Sequence, residues 1–137
     1  MKLYILGKIL KKDARAIAVV GSRLMTPRGE ILTKKFVKEF VKKDYTIVSG
    51  LARGIDTVAH QTALMEGGRT IAVLGSGLDI IYPFENKVLA EEISKHGALV
   101  SPYPNGTKPL PKNFLARNRI IVELSQAVLV IEGKRRS

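Results

Sequence analysis

Apolar residues in this chain gather in short runs separated by longer amphipathic stretches. Five runs stand out: Ile17–Val20, Tyr45–Val48, Thr70–Leu74, Ala98–Val100 and Ala127–Ile131. Each is continuous rather than alternating, the mark of a strand buried on both faces. Between them, apolar residues return every three or four positions, as on a helix with one face on a core. The first helix is predicted to start with Thr26 as N-cap and Pro27 at the first helical position, and to turn Phe36, Val37, Phe40 and Val41 inward. A second is predicted over about Thr57–Glu66, stopping at Gly67-Gly68. A third takes Asn86 as N-cap, buries Leu89 and Ile93, and ends near Gly97. The fourth runs from about Asn113 to Leu124, with Ile120, Ile121 and Leu124 on its core face. Strands alternating with helices predict an α/β fold: an open, mostly parallel, Rossmann-like sheet with helices on both faces and right-handed crossovers. Residues 1–14 read as an N-terminal extension to a single domain over 15–137.

Composition narrows the chemistry. At 137 residues the chain can bury a real core. It has no cysteine, so disulfides and thiolate metal sites are excluded. His60 and His96 are its only histidines. Asp56 and His60 lie one helical turn apart, yet no third ligand is evident, so neither metal nor cofactor is expected. No apolar run is long enough to span a membrane, and Lys8 breaks the N-terminal stretch where a signal peptide would sit. The expectation is a cytoplasmic protein with no membrane attachment. The formal net charge of +11 favours a polyanionic partner, nucleic acid or an anionic surface. Lys34, Lys35, Lys38, Lys42 and Lys43 weigh less in that argument, because they flank the inward positions of the first helix and read as its solvated face.

Placement gives the remaining cations more weight. Open parallel sheets bind ligands beyond the carboxyl ends of their strands. There the chain sets Gly21-Ser22-Arg23 after the first strand, Ser49-Gly50 after the second and Gly75-Ser76-Gly77 after the third. The segment Ser49–Asp56 is a strand, a glycine turn and a helix start. Gly50 and Gly54 suit tight turns and close approach of a ligand, Asp56 suits a cap, and Arg53 adds a cation, a combination favourable to phosphate. One rim therefore collects Arg23, Arg53, Lys108, Lys112, Arg117 and Arg119. Competing roles stay open at several of them. Arg23 can pair with Asp79 or Glu132, and Arg53 with Asp56 or Asp79. Arg117 shares the inward stripe of Ile120 and Ile121 while Arg119 points elsewhere, so one of the two is structural. Phe114 is either a core residue or a platform for a nucleobase. Asp79 reads as structural, orienting an arginine. No nucleophile–base arrangement can be assembled, so a binding protein is expected rather than an enzyme.

Taken together, Gly21-Ser22-Arg23, Ser49–Asp56, Gly75-Ser76-Gly77-Leu78-Asp79 and Phe114-Leu115-Ala116-Arg117-Asn118-Arg119 resemble the DNA-processing protein A (DprA/Smf) family, over about Ile17–Glu132. The resemblance implies a single-stranded DNA-binding module active in DNA uptake and natural transformation. It also implies a homodimer and a role in loading a RecA-type recombinase. Its expected nucleic-acid-binding residues are Gly21, Ser22, Arg23, Ser49, Gly50, Arg53, Gly54, Lys108, Lys112, Phe114, Arg117 and Arg119. Pro102 stands where the family carries an acidic residue, and Leu115 where it often has proline. Relatives continue beyond Ser137 with another helix and strand, so the chain is expected to lack C-terminal elements of the family fold. The alternative is a nucleotide-processing enzyme of the related phosphoribohydrolase-like fold, whose Pro-Gly-Gly-x-Gly-Thr-x-x-Glu motif is missing here. A nucleotide-sensing or purely structural module is a third reading.

Overall fold

The computed structural model describes residues 2–133; the Arg135-Arg136-Ser137 terminus lies outside them. Ten elements follow one another: β1 (Tyr4–Gly7), β2 (Ala16–Gly21), α1 (Pro27–Lys42), β3 (Thr46–Ser49), α2 (Ile55–Met65), β4 (Thr70–Val73), α3 (Lys87–His96), β5 (Gly97–Ser101), α4 (Pro111–Glu123) and β6 (Ala127–Ile131). The strands form one sheet in the order β1-β5-β4-β3-β2-β6. All neighbours are parallel except β1, which runs antiparallel to β5 with Tyr4 opposite Ser101 and Gly7 opposite Ala98. All five strands expected from sequence are present, shifted by a residue or so at their ends.

The sixth strand, β1, falls in the stretch that sequence reading treated as an extension. Its Ile5 and Leu6 are about half exposed (47% and 50%), so burial leaves no pattern there to read. Backbone pairing to β5 makes it a strand. Behind it, the buried Asp13 accepts hydrogen bonds from Arg69 Nε and Nη2 (2.8 Å each), from Thr46 Oγ1 (2.7 Å) and from the Leu10 N–H (2.7 Å). Arg69 also donates to the Lys8 carbonyl (2.6 Å). Residues 8–13 are thereby pinned to the sheet's amino end.

Side-chain alternation distributes the core. Val19, Ile47 and Ile131 face α1 and α2, where Val37, Ile55, Ala59 and Ala63 meet them. On the same side, Ala72, Leu74 and Leu99 pack on Ala90 and Ile93 of α3. Ala18, Val48, Ile71, Val73 and Val100 point to the opposite face, beneath Ile120 and Ile121 of α4. Val19, Val37 and Ile47 are completely buried, each contributing about 1.5–3 kcal/mol of transfer free energy.

The helix starts match the sequence unevenly. Thr26 Oγ1 accepts the Gly29 N–H (3.1 Å) with Pro27 at the first helical position, as expected. Asn86 stands at the start of α3, but its side chain does not cap it. Its Nδ2 donates to the Leu51 carbonyl (3.0 Å) and Thr57 Oγ1 (2.9 Å), tying α3 to the loop before α2. α2 begins two residues earlier than expected, with Gly54 as N-cap and Asp56 inside its first turn. From β2 the chain steps outward through β3, β4 and β5; α4 then carries it back across the sheet to β6, on the far side of β2. That reversal opens a crevice at the carboxyl ends of β2 and β6.

Candidate nucleic-acid interface

An open cleft of about 590 Å³ occupies this switch point, on the α4 side of the sheet. Gly21, Ser22, Arg23, Asp56, Arg117 and Asn118 supply its polar lining, and Val128 and Val130 part of its apolar floor. A narrower recess adjoins it, walled by Arg23, Gly50, Arg53, Tyr82, Phe114 and Arg117. Arg23 is exposed and forms no ion pair among the described residues. Its two candidate partners are engaged elsewhere. Glu132 accepts the backbone N–H (2.9 Å) and the hydroxyl of Thr26. Asp79 accepts the Gly106 N–H (2.9 and 3.1 Å), so it secures the β5–α4 loop rather than orienting an arginine. Ser22 braces the turn behind Arg23: its hydroxyl accepts the Leu24 N–H at 3.1 Å.

The glycine turn after β3 is built differently from the phosphate loop its sequence suggests. Ser49 is buried and its hydroxyl donates to the Val19 carbonyl (2.6 Å). The Gly50 N–H donates inward to Asp56 Oδ2 (2.9 Å), and the Gly50 carbonyl accepts Arg117 Nη1 (2.7 Å). A Cβ on Gly50 would stand 2.6 Å from that nitrogen. The close approach requiring glycine is therefore made by Arg117, not by a ligand. Gly54 has φ +79°, and a Cβ there would collide with the Ser22 carbonyl oxygen. The Ile55 N–H donates to that same oxygen (3.2 Å), locking the turn that bears Arg23 onto the start of α2. The acidic group held within the Ser49–Gly54 turn is thus the carboxyl of Asp56. Burial pushes the Asp56 carboxyl up, opposed by the Arg117 charge and the Gly50 N–H.

Of the two arginines on α4, Arg117 is the buried one. It is 4% exposed, and Nη1 also donates to the Val73 carbonyl (2.8 Å) while Nε donates to Asn118 Oδ1 (3.0 Å). Burial pulls its pKa down, and the Asp56 charge opposes that. Arg117 joins the ends of β3 and β4 and presents only part of itself to the cleft. Arg119 is exposed and lines neither recess, and the same holds for Lys108 and Lys112.

Arg53 has a partner that sequence reading missed. Its Nε meets Glu85 Oε2 at 2.7 Å and its Nη2 meets Oε1 at 3.2 Å, a forked pair with both side chains about half exposed. Neither Asp56 nor Asp79 plays that role. The Arg53 guanidinium lies 5.7 Å from the Tyr82 ring centre, and Tyr82 lies 5.8 Å from Phe114. The half-buried Phe114 has Arg117 at 5.3 Å and Arg23 at 5.8 Å. Cation, ring, ring and two cations form one continuous array along the rim. Tyr82 and Glu85 belong to it through tertiary structure alone; in sequence Tyr82-Pro83 reads only as a break before α3.

Below the rim, His60 is fully buried. His60 Nδ1 shares a hydrogen bond with Thr70 Oγ1 (2.7 Å), which also lies 3.0 Å from the Ile47 carbonyl oxygen, and His60 Nε2 has no hydrogen-bond partner among the described residues. Burial, with the Arg117 charge adding to it, pushes the imidazole pKa down to about 3. The described residues contain no cluster of metal-ligating side chains and no helix long and apolar enough to cross a membrane.

Comparison with known proteins bears on the whole chain. The family model described as DNA recombination-mediator protein A matches residues 1–137. A relative, Protein Smf from Synechocystis, is 48% identical over 98% of this chain, which spans 35% of that protein. Among solved structures, DNA processing protein A from Streptococcus pneumoniae superposes with a TM-score of 0.93 at 44% identity, over 98% of this chain and 47% of its own. DNA processing protein A from Helicobacter pylori, whose structure was described for its single-stranded DNA binding mode, superposes with a TM-score of 0.89 at 33% identity. The overlap there covers 98% of this chain and 62% of the other. The chain therefore spans between about a third and two thirds of the length of these relatives.

Proposed function

This chain belongs to the DNA recombination-mediator protein A family, and from that premise we propose that its carboxyl rim binds single-stranded DNA. The observation that carries the reading is the array Arg53–Tyr82–Phe114–Arg23 beside the cleft. Arg23, exposed and without a counter-charge, holds a backbone phosphate. Arg53 exchanges Glu85 for a second phosphate, an exchange made easy because an exposed ion pair is worth only about 0–1 kcal/mol. Phe114 takes a nucleobase as Arg23 swings from its ring to the phosphate. Lys108, Lys112 and Arg119, exposed on the segment that follows β5, extend the positive field along which a strand approaches. The Arg117–Gly50–Asp56 network serves as scaffold: it holds the turns on which Arg23 and Arg53 stand. The process served is DNA uptake and recombination in natural transformation, with the module acting in a homodimer that hands DNA to a RecA-type recombinase in the cytoplasm. These groups bind; they perform no bond-breaking step.

Fluorescence anisotropy with a short labelled oligothymidylate tests this. Neutralising about 3–5 phosphates predicts a log-affinity against log-salt slope of roughly −2 to −3.5. Arg23→Ala should weaken binding by about 1–3 kcal/mol, the loss of one charge-assisted contact. Lys38→Ala, on the solvated face of α1, is the control. A flat salt response, or equal losses for Arg23→Ala and Lys38→Ala, overturns the reading.

A further inference from the structure

The amino end of the sheet, opposite the rim, carries a second concentration of positive charge. Lys11, Lys12, Ala14, Arg15, Asp44 and Gln126 surround a hollow of about 510 Å³ there. Lys11, Lys12 and Arg15 are exposed and have no ion-pair partner among the described residues. Asp44 is the one acid lining the hollow, because Asp13 turns inward and is matched by Arg69. Lys42 and Lys43 end α1 just before Asp44 in the chain, without lining the hollow. Their position is also accounted for by the negative end of the helix dipole, so the case rests on the other three.

Arg15 is anchored rather than loose. Its Nη2 donates to the Lys43 carbonyl (3.0 Å), and its guanidinium lies 4.1 Å from the centre of the Tyr45 ring. A guanidinium fixed on a ring, with donors still facing solvent, suits a phosphodiester oxygen. Lys11 and Lys12 stand one turn away on a backbone that the Asp13–Arg69 clamp immobilises. Like charges held together by rigid backbone repel one another, and a polyanion relieves that repulsion while releasing its counterions.

We propose that this amino-end hollow is a second nucleic-acid contact, one that takes phosphodiester backbone without reading bases. Aromatic stacking has no part in it, since Tyr45 is already covered by Arg15 and Phe40. A strand occupying the rim continues around the molecule to this hollow, so the contact is available only to strands long enough to reach both ends. The proposal takes rim binding as given, and the experiment separates the two.

The test uses oligothymidylates of about 6 and about 40 nucleotides, bracketing the site size of a single small domain. Lys11→Glu, Lys12→Glu and Arg15→Glu are combined in one variant. Its affinity for the short strand should stay within about twofold of the parent, while its affinity for the long strand falls at least about tenfold and the salt slope flattens by about 2. Equal losses on both lengths, or no loss on the long strand, overturn the proposal. Failure of the parent to bind the short strand would instead strike at the rim. A second measurement needs no variant: acetylation of Lys11 and Lys12, read by mass spectrometry, should be suppressed by the long strand and not by the short one. Unchanged acetylation also overturns the proposal. Vesicles containing phosphatidylserine form the last arm, because Ile9 and Leu10 beside the patch are exposed. Vesicle binding that the triple variant abolishes, with long-strand affinity intact, would reassign the surface to membranes.

Discussion

Replacing Arg117 with methionine is the sharpest perturbation the rim offers. Methionine keeps an apolar stem in the space now filled by the side chain, but removes every donor. The carbonyls of Gly50 and Val73 lose the bonds made at 2.7 and 2.8 Å, and unsatisfied buried acceptors cost about 1–3 kcal/mol each. Asp56, itself 4% exposed, loses the cation that offsets its burial. Arg117 and Asp56 make no direct ion pair, so the two stranded carbonyls dominate the loss, together about 3–5 kcal/mol. Against a whole-domain stability of about 5–15 kcal/mol that loss is large. Urea denaturation should show a midpoint lower by about 1.5–2.5 M, for an m-value near 2 kcal/mol/M. Asp56→Asn removes the buried carboxyl that Arg117 offsets, so the double variant should be less destabilised than the sum of the singles by about 1–3 kcal/mol. A stability within about 1 kcal/mol of the parent, together with lost DNA affinity, would refute the scaffold assignment and make Arg117 a ligand-binding group.

Three other outcomes follow from the same geometry. Because the His60 pKa lies near 3 when folded against 6.5 for the ordinary imidazole, the unfolded chain takes up a proton first as pH falls. Stability is then fully present above about pH 6.5 and should drop by about 2 kcal/mol between pH 8 and pH 5; His60→Gln should flatten that limb in pH-dependent melting. Gly54→Ala adds a Cβ at φ +79° against the Ser22 carbonyl, so chemical denaturation should show a loss of about 2–4 kcal/mol, with weaker DNA binding as the turn bearing Arg23 shifts. Phe114→Ala should cost about 1–2 kcal/mol of stability, less than a fully buried phenylalanine, while weakening binding of the short strand by about 1–3 kcal/mol in anisotropy titrations.

What the sequence determined by itself was the layered frame and its ordering. Continuous apolar runs such as Thr70–Val73 read as doubly buried strands, and Thr26-Pro27 carries its own cap chemistry, so both were legible without any partner. Ala127–Ile131 also forms its strand, but at the sheet edge, with Val128 and Val130 exposed rather than buried on both faces. The gathering of Arg23 and Arg53 at one rim also follows from chain order, because every parallel strand delivers its carboxyl end to the same edge. Tertiary structure alone decided which of these groups line the cleft and its adjoining recess. Asp56 and Gly50 read locally as parts of a phosphate loop, yet Arg117, distant in sequence, fills the space beside Gly50, and the Gly50 N–H is taken by the Asp56 carboxyl. Arg53 found Glu85 and Tyr82 through the packing of the loop after β4, not through spacing. β1 was silent for a related reason: an edge strand defined by pairing rather than burial needs no apolar period. Local pattern records which residues leave water, whereas a site is made by which residues meet, and that is settled only when distant segments are packed together.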